Sequence, residues 1–283
     1  MRRPRAALAT AAGGVILLGG TGYLVANDLI DDLRLAPIGR HCVVRASGEV
    51  TLDADQMANA ATIAAIGARQ GLPERAVIVA LATALQESKL RNLSGGDRDS
   101  VGLFQQRPSM GWGKATQISN PRYASTRFYR ALAKVDGWEK LKVTDAAQRV
   151  QRSAYPKAYQ QWADEAAVLT RALMGHATGA VACTLPAPTG PFVADAANVV
   201  LRGLTLDWGQ LDSTPLDSSE LAVKVNSVSS GWRYAHWLVA HASQHSVTAV
   251  TFGGMAWTAK GGRWVTAQGS DGNTVLAKVF PGK

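Results

Sequence analysis

Residues 81–106 read LATALQESKLRNLSGGDRDSVGLFQQ, and the rest of the chain arranges itself around them. The first ten positions continue a helix that the apolar spacing starts at Pro73 and carries to Leu90. On that helix Val77, Leu81, Leu85 and Ser88 share one face, and Ala80, Thr83, Ala84 and Glu87 share the next. Glu87 therefore stands among small side chains, with room beside its carboxyl. From this helix alone, a solvated Glu paired with Lys89 or Arg91 is the better reading. The next stretch changes the weighing. Residues 94–100 (SGGDRDS) form a polar, glycine-rich loop that cannot bury itself. Gly102-Leu103-Phe104-Gln105-Gln106 then joins apolar residues to two amides, each both donor and acceptor. Ser109-Met110-Gly111-Trp112-Gly113 adds an aromatic between glycines, readable as a stacking platform or as core.

Helix signals continue on both sides. Asp53 is placed to cap a helix carrying Met57, Ala61, Ile63, Ala64 and Ile66 at helical spacing. Gln70-Gly71-Leu72-Pro73 stops it and opens the next. Asn120-Pro121 opens another helix, packed through Phe128, Leu132 and Val135. Thr144 is a cap for a helix over 145–151. A last helix covers 158–174, with Tyr159, Trp162, Ala166 and Leu169 inward. These elements predict a mainly helical domain over 53–183.

Leu85-Gln86-Glu87-Ser88 followed by Gly102-Leu103-Phe104-Gln105 resembles the Glu-Ser … Gly-Leu-Met-Gln pattern of soluble lytic transglycosylases, in the lysozyme-like superfamily, with Phe104 at the usual Met. The run from Gly96 to Gly113 is similar to exported actinobacterial proteins with lysozyme-like domains. The resemblance spans residues 54–175. It implies a lysozyme-like fold in which Glu87 is the catalytic acid cleaving the glycan strand of peptidoglycan. The substrate-binding set it suggests is Ser88, Asp97, Asp99, Gly102, Gln105, Gln106 and Trp112. One departure stands out. The family's Ala-Tyr-Asn-Ala-Gly signature is absent near 147–156, where Gln151, Ser153 and Tyr155 take its place. That departure keeps a second reading in view, a catalytically inactive wall-binding or envelope-scaffold protein with envelope partners.

The chain has 283 residues, 30 Lys and Arg against 21 Asp and Glu, and a formal net charge of +9. Such an excess suits nucleic acid, an anionic membrane or an anionic wall polymer. The basic residues are scattered, and no zinc-finger, helix-turn-helix or RNA-binding aromatic pattern occurs, so nucleic acid is not an expected partner. Arg2, Arg3 and Arg5 precede residues 6–27, which carry no charge. About 20 apolar residues span a bilayer. Residues 1–27 therefore read as a signal anchor or a secretory signal, with Leu24-Val25-Ala26 a poor cleavage site. A juxtamembrane segment over 28–52 follows. Both readings place the remainder outside the cytoplasm, secreted or held by the membrane helix. Two cysteines in an oxidising compartment, Cys42 and Cys183, predict one disulfide bracketing the helical domain.

Residues 184–192 hold three prolines and read as a linker. Beyond them, 193–283 reads as a small α+β domain rich in tryptophan: Trp208, Trp232, Trp237, Trp257 and Trp264. Residues 218–246 look helical, with a break at Ser229-Ser230-Gly231. Strands are expected over 247–252, 255–258, 263–266 and 275–280. His236, His241 and His245 have no accompanying carboxylate, so no metal and no cofactor is expected.

Overall fold

Asp53 caps the first helix through a reciprocal pair of hydrogen bonds. Its carboxylate accepts from Gln56 N at 2.8 Å, and the Gln56 side chain accepts from Asp53 N at 2.9 Å. In the computed structural model, which describes residues 39–268 and 272–282, this pair starts α1 (Ala54–Arg69). The expected signal anchor over 1–27 lies outside those residues. Among the described residues no helix is long and apolar enough to cross a membrane.

Helix α1 is the hub. Its alanines let neighbours approach on every side, and Met57 and Ile63 are fully buried. Truncating either to Ala at this hub costs about 2–5 kcal/mol. Against it pack α2 (Glu74–Ser88), α4 (Pro121–Leu132) and α6 (Ala163–Leu173), while the short α3 (Ala115–Ile118) packs on α4, and α5 (Val143–Gln151) packs on α2 and α4. Asn120 caps α4 by accepting from the Arg122 and Tyr123 amides, and Pro121 stands in its first turn. Thr144 is not a cap. Helix α5 begins one residue earlier, and the Thr144 hydroxyl donates to Pro156 O at 2.6 Å.

Three short antiparallel strands close the helical part: β1 (His41–Arg45), β2 (Glu49–Asp53) and β3 (Val181–Thr184), in the order β2-β1-β3. Much of the stretch expected to be juxtamembrane thus belongs to the folded unit. Cys42 lies opposite Cys183 across β1 and β3, and the two form a disulfide. The bond closes a sequence separation of 141 residues. In the chain-entropy picture that is worth on the order of 5 kcal/mol.

The chain then enters its α+β part: α7 (Ala196–Trp208), β4 (Ser213–Pro215), β5 (Glu220–Lys224), α8 (Val228–Ala240), α9 (Ala242–His245), β6 (Val247–Phe252), β7 (Met255–Thr258), β8 (Trp264–Thr266) and β9 (Thr274–Val279). The six strands form one antiparallel sheet, ordered β4-β5-β9-β6-β7-β8. Two expectations are corrected here. Residues 220–224 are a strand, paired to β9 from Glu220↔Lys278 to Lys224↔Thr274. Helix α8 runs unbroken through Ser229-Ser230-Gly231, capped at Ser227. Gly231 is there for close approach, because a Cβ would stand 1.8 Å from the Phe252 ring.

The described residues form a single compact unit. After β3 the chain stays close to the α+β part: Leu185 is buried and its N–H donates to Ala259 O at 2.8 Å. Trp257 Nε1 donates to Cys183 O at 3.1 Å, and Trp264 Nε1 to Val181 O at 2.8 Å. The small sheet carrying the disulfide is therefore held by indoles of the large one.

Candidate functional site

Helix α2 ends abruptly after Ser88. Lys89 and Leu90 both take left-handed backbone angles, φ 53° and 60°. A non-glycine residue there is strained by about 1–2 kcal/mol, so neighbours must hold the turn. Two side chains of α1 do so: Gln56 Nε2 donates to Lys89 O and Asn59 Nδ2 to Leu90 O, each at 2.8 Å. Arg91 pairs with Asp53 at 2.7 Å. The strained stop puts Glu87 one residue from a helix end instead of mid-helix.

Glu87 is half-buried. Burial raises its carboxyl above the ordinary range, against two donors that favour the ionised form. The first is Tyr159, whose hydroxyl donates to Oε1 at 2.6 Å. The second is the Gln151 side chain. Gln151 Nε2 also donates to Phe104 O at 2.7 Å, tying the end of α5 to the Gly-Leu-Phe-Gln turn. The Ser153 side chain favours the ionised phenol of Tyr159, a smaller effect than burial. Burial, with Glu87 alongside, pushes the Tyr159 phenol far up, so it stays a proton donor.

Tyr159 is fully buried. It sits in the short 3-10 helix Ala158–Trp162, and this helix is pinned to the end of α2. Trp162 Nε1 and Gln161 Nε2 both donate to Gln86 Oε1, at 2.8 and 2.9 Å. Lys89 Nζ lies 3.8 Å from the centroid of the Trp162 ring. Sequence reading gave Tyr159 only a packing role. The available signal was a repeated Ala-Tyr pair, 154–155 and 158–159. Tyr155 is 73% exposed and makes no contact with Glu87 of the kind Tyr159 makes. The Ala-Tyr pair that reaches Glu87 is the second one.

Ser88 is buried, and its hydroxyl lies 2.7 Å from Leu103 O and 3.1 Å from Ala84 O. It braces the turn against α2. Gly102 has φ +78°, and a Cβ would stand 2.8 Å from Ile118 O, so only glycine fits the turn. Gln105 donates to Gly102 O at 3.1 Å, and its carbonyl lies against Gly96. Gln106 is buried and donates to Ala124 O at 3.3 Å, while its Oε1 has no hydrogen-bond partner. Trp112 is half-buried, with its carbonyl accepting from Tyr123 Oη at 3.1 Å.

The two loop carboxylates differ. Asp97 is solvent-exposed beside Arg98. Asp99 accepts from Arg107 Nε at 2.9 Å, Ser109 N at 2.8 Å and Ser109 Oγ at 3.0 Å. These donors hold it well below the usual carboxylate range. Among the described residues no group of three His, Cys, Asp or Glu is placed to hold a metal. Recesses indent the surface of the described residues. One of about 560 Å³ is lined by Arg75, Ile78, Lys142 and Gln160 among others. One of about 180 Å³ lies beside Arg40 and Pro186. Glu87 lines neither.

No protein-family model and no curated protein matches the chain. The site offers one carboxyl with a raised affinity for its proton, oriented by a phenol and an amide, beside the largely buried Gly-Leu-Phe-Gln turn.

Proposed function

We propose that the protein cleaves the glycan strand of peptidoglycan with Glu87 as its single catalytic carboxyl, in a lysozyme-like helical domain. The observation that carries this reading is the half-buried Glu87, raised by burial and oriented by Tyr159 at 2.6 Å. A carboxyl that keeps its proton above the usual range is a general acid. Glu87 gives that proton to the glycosidic oxygen as the bond to the anomeric carbon breaks. The carboxylate left behind is stabilised by the Tyr159 and Gln151 donors. It then takes a proton from a hydroxyl of the same sugar, whose oxygen bonds to the anomeric carbon. The result is an anhydro end, as in lytic transglycosylases, and Glu87 is returned protonated.

An inverting hydrolase would need a second carboxylate about 6.5–9.5 Å from the first to activate water. Asp99 is committed to Arg107 and Ser109, and Asp97 stands in solvent. Both facts favour the single-carboxyl course. The disulfide is compatible with an extracytoplasmic protein, and the net charge of +9 suits an anionic wall.

The test is digestion of purified wall, with mass spectrometry of the products, by the parent and Glu87→Gln. Anhydro ends from the parent alone are expected; reducing ends would shift the reading to hydrolysis. Equal clearing by both proteins would sink Glu87 as the catalyst. One observation favours a wall-binding or scaffold protein instead: the Ala-Tyr-Asn-Ala-Gly signature is absent near residues 147–156. Retention on wall with no released product would establish that reading.

A further inference from the structure

The carboxylate of Asp207, near the end of α7, is fully buried in a place where no aspartate is expected without strong partners. Its partners come from both parts of the protein. Arg122 Nε, from the first turn of α4, hydrogen-bonds Oδ1. Trp237 Nε1, from α8, donates to Oδ2 at 2.7 Å. The Thr62 hydroxyl of α1 lies 3.0 Å from Oδ2 and 3.2 Å from His241 Nε2. His241 Nε2 is 3.8 Å from Oδ2. The α+β part thus grips the start of α4 by one ion pair.

Helix α4 is in turn the backing of the candidate site. Phe128 stacks on Phe104 of the Gly-Leu-Phe-Gln turn, with centroids 4.6 Å apart. Ala124 O accepts from Gln106. Tyr123, adjacent to Arg122, donates to Trp112 O at 3.1 Å. Arg127 Nη2 donates to Gly111 O at 2.9 Å. Four successive fixings hold residues 104–112 to one helix, and that helix is held at its first turn by Asp207.

We infer that Asp207 is a positioning residue: through Arg122 and α4 it sets where Trp112 stands and where the Gly-Leu-Phe-Gln turn meets the end of the Glu87 helix. Its bearing on catalysis rests on the reading of Glu87 as the catalytic acid. The α+β part then does more than accompany the helical part, because it completes the support of one wall of the site. A carboxylate suits this task better than an apolar residue. It fixes α4 in register, since the Arg122 guanidinium must meet it in one orientation.

The test uses the whole protein labelled with 5-fluorotryptophan, whose eight tryptophans give separate fluorine signals, with Trp112→Phe identifying that of Trp112 and Trp138→Phe that of Trp138. Asp207→Asn keeps the shape and removes the charge; Arg122→Gln removes the other partner and is a second, less buried variant should the first fail to fold. The expected result is a shifted or broadened Trp112 signal in both, with the Trp138 signal unmoved. The double variant should do no more than either single one. Folded variants whose Trp112 signal coincides with the parent's would overturn the inference. This readout needs no substrate, so a parent that cleaves no wall glycan defeats the proposed function and leaves the positioning claim to the spectrum. For a parent that cleaves, Asp207→Asn should raise KM on the order of tenfold with kcat nearly held. A displaced signal with unchanged KM would likewise overturn it.

Discussion

The Tyr159 hydroxyl donates to Glu87 Oε1 at 2.6 Å across 72 positions of sequence. The bond favours the ionised carboxylate, while burial favours the protonated one, and burial dominates. Removing the phenol therefore raises the Glu87 pKa further. In Tyr159→Phe the fall of cleavage rate on the alkaline side should move to higher pH, because the acid form survives longer. The maximum rate should drop as the carboxyl loses its orientation. A pH–rate profile of parent and variant checks this; an alkaline limb that moves down would contradict the assignment.

Glu87→Gln should lower cleavage by about 10²–10⁴-fold, the usual contribution of a positioned acid. It should also raise stability at neutral pH. A carboxyl whose folded pKa is raised opposes folding once the pH exceeds its unfolded value, and glutamine has no charge to desolvate. The variant should melt above the parent at pH 7 and alongside it at pH 4. Melting curves at the two pH values, read with circular dichroism, decide the point.

Ser88→Ala separates a brace from a ligand. The hydroxyl sits against Leu103 O at 2.7 Å inside the protein. Its loss leaves a buried carbonyl short of a donor, at about 1–3 kcal/mol. Chemical denaturation should show that loss, with KM unchanged. A raised KM at unchanged stability would return Ser88 to the substrate.

His236 makes stability depend on pH. Its Nδ1 donates to Ala172 O at 2.8 Å and its Nε2 accepts from Ala180 N at 2.9 Å, which requires the neutral ring. Burial pushes its pKa down to about 4, and that of His241 to about 4 as well. The unfolded chain binds these protons near 6.5, so stability falls as the pH drops from about 6.5 toward 4 and is flat above. His236→Phe should be less stable at pH 7 but lose less on acidification, as urea midpoints across this range will show.

Reduction of the Cys42–Cys183 bond, or Cys42→Ser with Cys183→Ser, should lower the melting temperature markedly, the entropic contribution being on the order of 5 kcal/mol. A melting point unmoved by reductant would mean that strand pairing alone closes the domain.

The helix boundaries set by local chemistry were legible in the sequence. Asp53 with Gln56, and Asn120 before Pro121, act on residues within three positions and need no tertiary partner. Residues 220–224 do not read as a strand because ELAVK has no strand alternation; its pairing comes from β9, fifty or more positions away. Glu87 is singled out as a candidate by the two motifs around it, and the structure shows it one residue from a helix end. Tyr159 is not singled out, since nothing local distinguishes it from Tyr155. Asp207 was invisible for the same reason: all of its partners lie at least 30 positions away.

The placing of the disulfide has a mechanical meaning. Cys42 stands in the first strand and Cys183 in the strand that hands the chain to the large sheet. A pull between residue 40 and the C-terminal end travels through the sulfur bridge into β3 and on past it. The residues between the two cysteines, Glu87 and Tyr159 included, lie off that line of tension. Load applied at the start of the folded unit does not pass along the backbone that carries the candidate site.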